Sequence, residues 1–209
     1  MAKWRRIRAI KRFVFEGNRA LWYEKDLSEG WATPDLGLPV CIDIHDTEGT
    51  LSWLRSFTES WMYNKKEIDV GVIEQHYFAN ARLEGRIIGY TKVGIKRVYI
   101  YDFGRCLTLP DKVSFLYHVY VAKEFRKKNI AQHLIIQVMS ELAQTGYQKM
   151  FCHIAEWNVP SIRLFEGLGF RCVAEIRFYR FLRMLRVWAY RIPRDGRLMI
   201  SLSMPSVLR

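Results

Sequence analysis

The clearest pattern along the chain is an amphipathic helix whose apolar positions recur every three to five residues. Its apolar face comprises Ile130, Leu134, Ile135, Val138, Met139 and Leu142. This spacing places all of these side chains on one side of a helix. Gly146 ends the pattern, and the apolar run 150–155 predicts a buried strand. Because residues 113–121 also predict a strand, the order strand, helix, strand indicates a crossover between two parallel strands.

The segments before this unit predict antiparallel strands. Strand-like patterns occupy 78–92, 98–103 and 113–121, and Glu84-Gly85 suits a tight turn within the first of them. The short connections between these strands indicate an antiparallel meander. The predicted fold class is therefore α/β (α+β): a mixed sheet with antiparallel N-terminal strands and one central parallel pair, flanked by helices.

Two more helices are predicted from spacing and end signals. Residues 46–63 carry an apolar and aromatic stripe, for which core packing is favoured over a substrate-facing wall. Residues 159–168 follow Asn158 as the cap, contain Pro160 in the first turn and end before Gly169. A further strand is predicted from 170 to 176.

Composition fits one folded domain. The chain has 209 residues, half of them hydrophobic, so we predict a single domain over 1–209 in which 1–40 and 177–209 are basic extensions. The four cysteines lack C-x-x-C spacing, which favours a reduced, cytoplasmic protein without a disulfide framework or a metal site. No apolar run reaches the length of a membrane span, and the basic N-terminus lacks the apolar core of a signal peptide.

The net charge of +12 is concentrated near the two ends of the chain. The segments 3–12 and 177–197 together carry 13 bases and one acid, whereas the rest carries 20 of each. The pattern indicates a balanced central body with basic, accessory ends.

One basic loop is placed where a phosphate would bind. The segment 119–131 ends a strand, passes through Arg126, Lys127 and Lys128, and begins the amphipathic helix. Free N–H groups and the positive end of the dipole at a helix N-terminus favour an anion, and the three cations strengthen that field. Taken alone, a solvated basic turn is the commoner explanation of such a sequence.

The same loop resembles the signature of the GNAT superfamily of N-acetyltransferases, usually written Arg or Gln, two residues, Gly, one residue, then Gly or Ala. Arg126 and Ala131 match it, Ile130 fills the free position, and Asn129 stands where the family has Gly. Asn tolerates left-handed backbone angles, so we expect the loop geometry to survive. The segment 158–170 resembles a second family motif, Asn-x-x-Ala/Ser-x-x-Leu-Tyr/Phe-x-x-x-Gly-Phe. The resemblance covers about 78–176.

The resemblance implies that the two parallel strands splay apart and hold the pantetheine arm of acetyl-CoA or another acyl-CoA between them. The pyrophosphate would lie on the amides of the loop, and an amine would attack the thioester directly. No metal is implied. The implied cofactor-binding positions are Val119, Val121, Arg126, Lys127, Lys128, Asn129, Ile130, Ala131, Asn158, Ser161 and Phe165.

The candidate catalytic residues are Tyr117 and His118, on the strand before the loop. Strand alternation predicts Tyr117, Val119 and Val121 on one face and His118 on the other, so only one candidate would face the cleft. His118 titrates near neutrality and suits a base, although a lone strand histidine is more often structural. His153 and Glu156, on or just after the next strand, are alternative bases. Many family members have Tyr where this chain has Phe165, which cannot protonate the leaving thiolate.

Several partners and one other function stay open. The amine acceptor is a small molecule, a lipid or a protein, and a homodimer is common in the family. For the basic ends, contact with an anionic membrane surface, a grip on an anionic acceptor and solvated secondary structure compete. Nucleic acid is less favoured because no recognition motif is present. The alternative function is a non-catalytic acyl-CoA-binding or membrane-associated module.

Overall fold

The computed structural model describes residues 15–45, 76–100, 105–181, 185–191 and 201–203. The predicted helix at 46–63 and the basic segment before residue 15 lie outside this part. The strands are β1 (Phe15–Asp26), β2 (Cys41–His45), β3 (His76–Leu83), β4 (Arg86–Gly94), β5 (Arg97–Ile100), β6 (Arg105–Thr108), β7 (Val113–Val121), β8 (Lys149–Ala155), β9 (Arg171–Phe181), β10 (Leu185–Arg191) and β11 (Ser201–Ser203). The helices are α1 (Ile130–Gln144) and α2 (Val159–Gly167).

Eight strands form one mixed sheet in the order β10-β9-β1-β8-β7-β4-β3-β2. β7 and β8 run parallel, with α1 between them in sequence, while the other neighbours pair antiparallel. The predicted mixed sheet with an early antiparallel part and a central parallel pair is confirmed.

The predicted meander is wrong at its middle strand. Residues 97–100 do not lie between β4 and β7, which pair directly with each other. They form a hairpin with β6, and β11 adds to its edge to make a second, three-stranded sheet. Val98, Ile100 and Leu107 of this hairpin are buried against Phe115 and Trp22 of the large sheet. Apolar alternation does not reveal which sheet a strand joins, because both arrangements bury the same side chains.

The first 40 residues lie outside the segment that resembles the family. They supply a central strand of the eight-stranded sheet. β1 lies between β8 and β9 and pairs antiparallel with both. Its Trp22 and Tyr23 are 0% and 2% exposed, on opposite faces of the sheet. Burial on both faces and pairing on both edges place β1 in the core of the sheet.

The two faces of the sheet have different covers. One face packs against α1, whose apolar side chains are all buried as predicted. The opposite face, here called the far face and defined by Phe115, Tyr117 and His118, packs in part against the β5–β6 hairpin. β9 extends past its predicted end and turns back into β10, so a strand hairpin forms the backbone of the basic, aromatic segment.

Cys41, Cys106, Cys152 and Cys172 are free thiols. Within the described residues no helix is long and apolar enough to cross a membrane.

Candidate functional site

The central parallel pair separates partway along its length. β7 and β8 pair from Val113 to Leu116 and from Lys149 to Cys152, and both strands continue beyond these residues without pairing to each other. Beyond these residues β7 still pairs with β4 along its other edge, and β8 still pairs with β1 along its other edge. A cleft therefore opens at Tyr117, between two strands that each keep one partner.

The loop after β7 forms an anion-binding geometry at the start of α1. Lys127 and Asn129 have φ angles of 62° and 58°, both in the left-handed region. Left-handed residues alternating along a loop turn successive N–H groups toward one concavity, a nest that favours anions. The α1 N-terminus adds its own N–H groups and dipole. The expectation that Asn129 adopts left-handed angles is confirmed.

The Asn129 side chain is held by the segment between β1 and β2. Its Nδ2 donates to the carbonyl oxygen of Asp35 over 3.0 Å. One turn along α1, His133 Nε2 donates to the Pro34 carbonyl over 2.6 Å. The segment between β1 and β2 is thereby tied to the first turns of α1, a contact 94 to 99 residues distant in sequence that no local pattern indicates.

An open cavity of about 310 Å³ lies beside the loop. Its lining includes six of the implied cofactor positions: Val121, Arg126, Lys127, Asn129, Ile130 and Ala131. Phe125, Gln132, Pro160 and Leu164 complete the lining and were not singled out from the sequence. Arg126 Nε donates to the Val121 carbonyl over 3.0 Å, which folds its side chain back over the end of β7.

The other implied cofactor positions lie outside the cavity lining, which does not include Val119, Lys128, Asn158, Ser161 or Phe165. Asn158 caps α2, accepting a hydrogen bond from the Ser161 amide over 3.4 Å. Phe165 is 4% exposed and packs edge-on against Phe170 in the core.

A register shift in β7 changes the predicted alternation. The pairing of β4 with β7 slips between Lys92 and Val93, so that Lys92 faces His118 while Val93 faces Leu116. Tyr117 falls at the slip and packs with the far-face cluster, whereas Val119 packs on the α1 side. The prediction that Tyr117 shares a face with Val119 and Val121 is therefore wrong, because an extra residue in one strand resets the alternation.

Both catalytic candidates consequently lie on the far face, where the cleft begins. His118 packs edge-on against Tyr90, with ring centroids 5.2 Å apart. His118 is an exposed residue of the far face, yet partial burial of its ring and the charge of Lys92 hold its pKa below the usual range. The lowered pKa keeps the His118 ring neutral at pH 7, the form in which a histidine accepts a proton.

Tyr117 contacts a histidine that sequence reasoning did not single out. His76 of β3 is 2% exposed, and its Nδ1 lies 2.8 Å from the Tyr117 hydroxyl. Its Nε2 lies 3.3 Å from the Arg97 carbonyl oxygen. Burial, with a smaller contribution from Lys92, lowers the pKa of His76 to about 4. A β3 residue reaches β7 only because β4 between them has Gly94 at the crossing, which no sequence pattern indicates.

The two alternative bases are placed differently. His153 lies just past the paired part of β8 and packs beside the rings of Trp22 and Phe115. Glu156 forms an ion pair with Arg19 of β1 over 2.8 Å, which links the end of β8 to β1. Among the described residues no group of three or more His, Cys, Asp or Glu side chains is arranged to hold a metal ion.

Comparison with known families places the chain in context. The model of the acetyltransferase (GNAT) family matches residues 42–170. No match was found among curated protein sequences.

Several solved structures share the fold. A tandem GNAT protein from the clavulanic acid biosynthesis pathway is 15% identical, with a TM-score of 0.55 over 79% of this chain and 54% of its own. A Drosophila protein is 13% identical, with a TM-score of 0.54 over 87% of this chain and 58% of its own. A GCN5-related N-acetyltransferase from Sphaerobacter thermophilus is 13% identical, with a TM-score of 0.51 over 85% and 56%. The chain thus spans little more than half the length of each of these proteins.

Proposed function

Because the chain belongs to the acetyltransferase (GNAT) family, we propose that it is an enzyme that transfers an acyl group from coenzyme A to an amine. The observation that carries the proposal is the nest at Lys127 and Asn129, set at the α1 N-terminus beside a cavity lined by the end of β7, the loop, α1 and α2, on the strand that separates from β8 beyond Leu116. A pyrophosphate needs such converging N–H groups, and an extended amide-bearing arm needs an open strand edge beside them.

The cleft supplies what a direct transfer requires. Beyond Leu116 the edge of β7 that faces β8 pairs with no strand among the described residues, and this edge is where the amides of a pantetheine arm would bond. The five residues from Tyr117 to Val121, four steps along the strand, extend over about 13 Å, which separates the phosphate loop from the far-face side chains. Holding the thioester and the amine in line supplies much of the rate enhancement of such a reaction.

The leaving thiolate needs little help from a general acid. The α2 position where many family members carry a tyrosine holds Phe165, buried in the core. A thiol has a pKa of about 8.5, so a thiolate leaves without a strong acid beside it. We propose that the protein uses no side-chain acid from α2.

We extend the proposed domain over the whole chain, 1–209, since β1 and β9 complete the sheet that the family match begins. The acceptor is proposed to be an amine on a small molecule, a lipid or a protein, and the proposed location is the cytoplasm.

Calorimetric titration of the purified protein with acetyl-CoA and with a long-chain acyl-CoA tests the first half of the proposal. Saturable binding of either is expected, and the preferred chain length indicates whether soluble or lipid amines should be examined next. Absence of binding by both would overturn the assignment of the loop.

Amine-dependent release of thiol from the bound acyl-CoA tests the second half. Release that saturates with one class of amine is expected. Tight binding without release across small-molecule, lipid and peptide amines would instead establish a non-catalytic acyl-CoA-binding module, the reading that Phe165 favours.

A further inference from the structure

The hydrogen-bond direction between His76 and Tyr117 follows from their surroundings. The Arg97 carbonyl can only accept, so His76 Nε2, at 3.3 Å, carries the ring proton. In the neutral ring Nδ1 is then an acceptor, and the Tyr117 hydroxyl at 2.8 Å must donate to it. The Tyr117 hydroxyl proton therefore points toward His76 Nδ1.

His76 stays neutral because of what faces it. The groups around its ring are Tyr117 from β7, Lys92 from β4 and the Arg97 carbonyl from β5. Burial and the Lys92 charge lower its pKa to about 4. A second cation beside Lys92 in a buried site is unfavourable, so His76 is a fixed acceptor at neutral pH rather than a proton carrier.

The contact is accommodated by Gly94, the β4 residue that pairs with His76. A Cβ at Gly94 would lie 3.3 Å from His76 Nε2 and would collide with Val98 of the hairpin. The lack of a side chain there lets the hairpin cross below the sheet and bring the Arg97 carbonyl to the histidine. His76 of β3 therefore contacts β7 through the Tyr117 hydroxyl and β5 through the Arg97 carbonyl.

We propose that His76 is a positioning residue for acyl transfer: by accepting a hydrogen bond from the Tyr117 hydroxyl, it orients the Tyr117 oxygen as a hydrogen-bond acceptor for an amine that approaches the start of the cleft from the far face. This inference rests on the proposed function. Tyr117 is the first β7 residue beyond the paired part of β7 and β8, where the cleft begins. An N–H held by this oxygen fixes the direction of the nitrogen lone pair toward the acyl carbon.

In the transfer itself, the nitrogen lone pair forms the new C–N bond, the C–S bond breaks, and its electron pair leaves with the sulfur. The nitrogen gives up one proton and the thiolate takes one, so the reaction is balanced without an oxidant or reductant. His76 gains and loses no proton in this sequence.

Two substitutions separate the positioning role from a purely structural one. His76→Asn puts an amide oxygen near the place of Nδ1 but loses the contact with Arg97. His76→Gln reaches the Arg97 carbonyl with its amide nitrogen but has no acceptor near Tyr117. Tyr117→Phe removes the hydroxyl, and Tyr23→Phe is the matched control, since Tyr23 donates to Glu166 over 3.0 Å on the α1 side of the sheet.

We expect Tyr117→Phe and His76→Gln to lower kcat by about tenfold to a hundredfold, the effect of one directed hydrogen bond to a charged or reacting group. The KM for acetyl-CoA should not change, and calorimetry should show wild-type binding of acetyl-CoA. His76→Asn should keep kcat within about threefold of wild type, because it keeps the acceptor. Tyr23→Phe should leave kcat unchanged. Thermal unfolding of each variant confirms that it is folded.

Equal kcat values for wild type, Tyr117→Phe and His76→Gln would overturn the inference while leaving the proposed function intact. A wild-type kcat in His76→Gln together with a lowered kcat in His76→Asn would also overturn the inference. The effect of His76 would then come from its contact with the hairpin and not from its contact with Tyr117. If the wild-type protein binds acetyl-CoA but acylates no amine, the proposed function is overturned, and so is the inference that rests on it.

Discussion

Asn129 shows how one residue can replace a glycine without closing an anion site. It adopts the left-handed angle that the loop requires, and its side-chain amide donates a hydrogen bond to the Asp35 carbonyl. Asn is among the few residues other than glycine that visit this region routinely. The departure from the family motif therefore changes what the residue contacts, not the path of the backbone.

Asn129→Val tests this interpretation at the loop. A β-branched residue at a φ of 58° costs roughly 1–2 kcal/mol and shifts the neighbouring amides. We expect acetyl-CoA affinity, measured by calorimetry, to fall about tenfold or more. Asn129→Gly is the control, which keeps the angle and should bind within about twofold of wild type. Equal affinity of all three proteins would mean that these amides do not contact the phosphates.

His76 makes the stability of the protein depend on pH. Its pKa is about 4 in the folded protein and 6.5 in an exposed chain. Between these values the unfolded chain binds more protons than the folded one, so stability falls as pH drops from 6.5 toward 4. The full loss is about 3 kcal/mol. Above pH 6.5 the contribution does not change.

Urea unfolding at a series of pH values checks this dependence. The free energy of unfolding of the wild type should fall through the window more steeply than that of His76→Asn, which lacks the titrating ring. Parallel curves for the two proteins would show that His76 does not titrate in this range.

At the scale of elements, β1 determines whether the sheet is continuous. It separates β8, which forms one wall of the cleft, from β9. β8 has a partner beyond Cys152 only on the β1 side, so β1 is what keeps this wall in place where β7 diverges. The N-terminal segment therefore supports the cleft although it contributes no lining residue to the cavity.

Trp22→Ala measures this contribution. Trp22 is fully buried between Phe115 and His153, and truncating such a side chain costs about 3–5 kcal/mol. The control is Trp157→Ala, since Trp157 is 75% exposed and its truncation should change stability by no more than about 0.5 kcal/mol. Chemical denaturation compares the two. A small effect at Trp22 would contradict a central role for β1.

At the scale of the whole molecule, the segments that carry the net charge are separate in sequence from the residues that line the cavity. The segments 3–12 and 177–197 carry the net charge, whereas the cavity is served by Arg126 and Lys127, with Lys128 beside them on the same loop. Lys128 Nζ lies 5.8 Å from the centre of the Phe125 ring, a cavity residue. Attraction of an anionic ligand to these exposed cations is long-ranged and weakened by salt.

Replacing Lys127 and Lys128 with Glu should weaken acetyl-CoA binding by at least about fivefold at low ionic strength. The difference from wild type should shrink at high ionic strength, because salt screens exposed charges. Lys96→Glu, in the turn between β4 and β5, is the control, because it reverses the charge of a lysine that does not line the cavity. A salt-independent loss would indicate a distorted loop rather than a lost charge.

The sequence by itself determined the central unit of this protein. The apolar period of α1, the strands on either side and the cap and end of α2 are local signals, because hydrogen bonding and side-chain periodicity act over a few residues. Together with the loop motif they also located Val121, Arg126 and Lys127 at the cavity.

Only the tertiary structure decided which strands are neighbours and which side chains meet. The central place of β1 and the contact between His76 and Tyr117 join distant parts of the chain: 156 positions separate Arg19 of β1 from Glu175 of β9, and 41 separate His76 from Tyr117. A shift of one residue in β7 moved Tyr117 to the far face, which alternation alone could not predict. Such choices depend on competition among strand edges and buried faces across the whole chain, and no local pattern records the outcome of that competition.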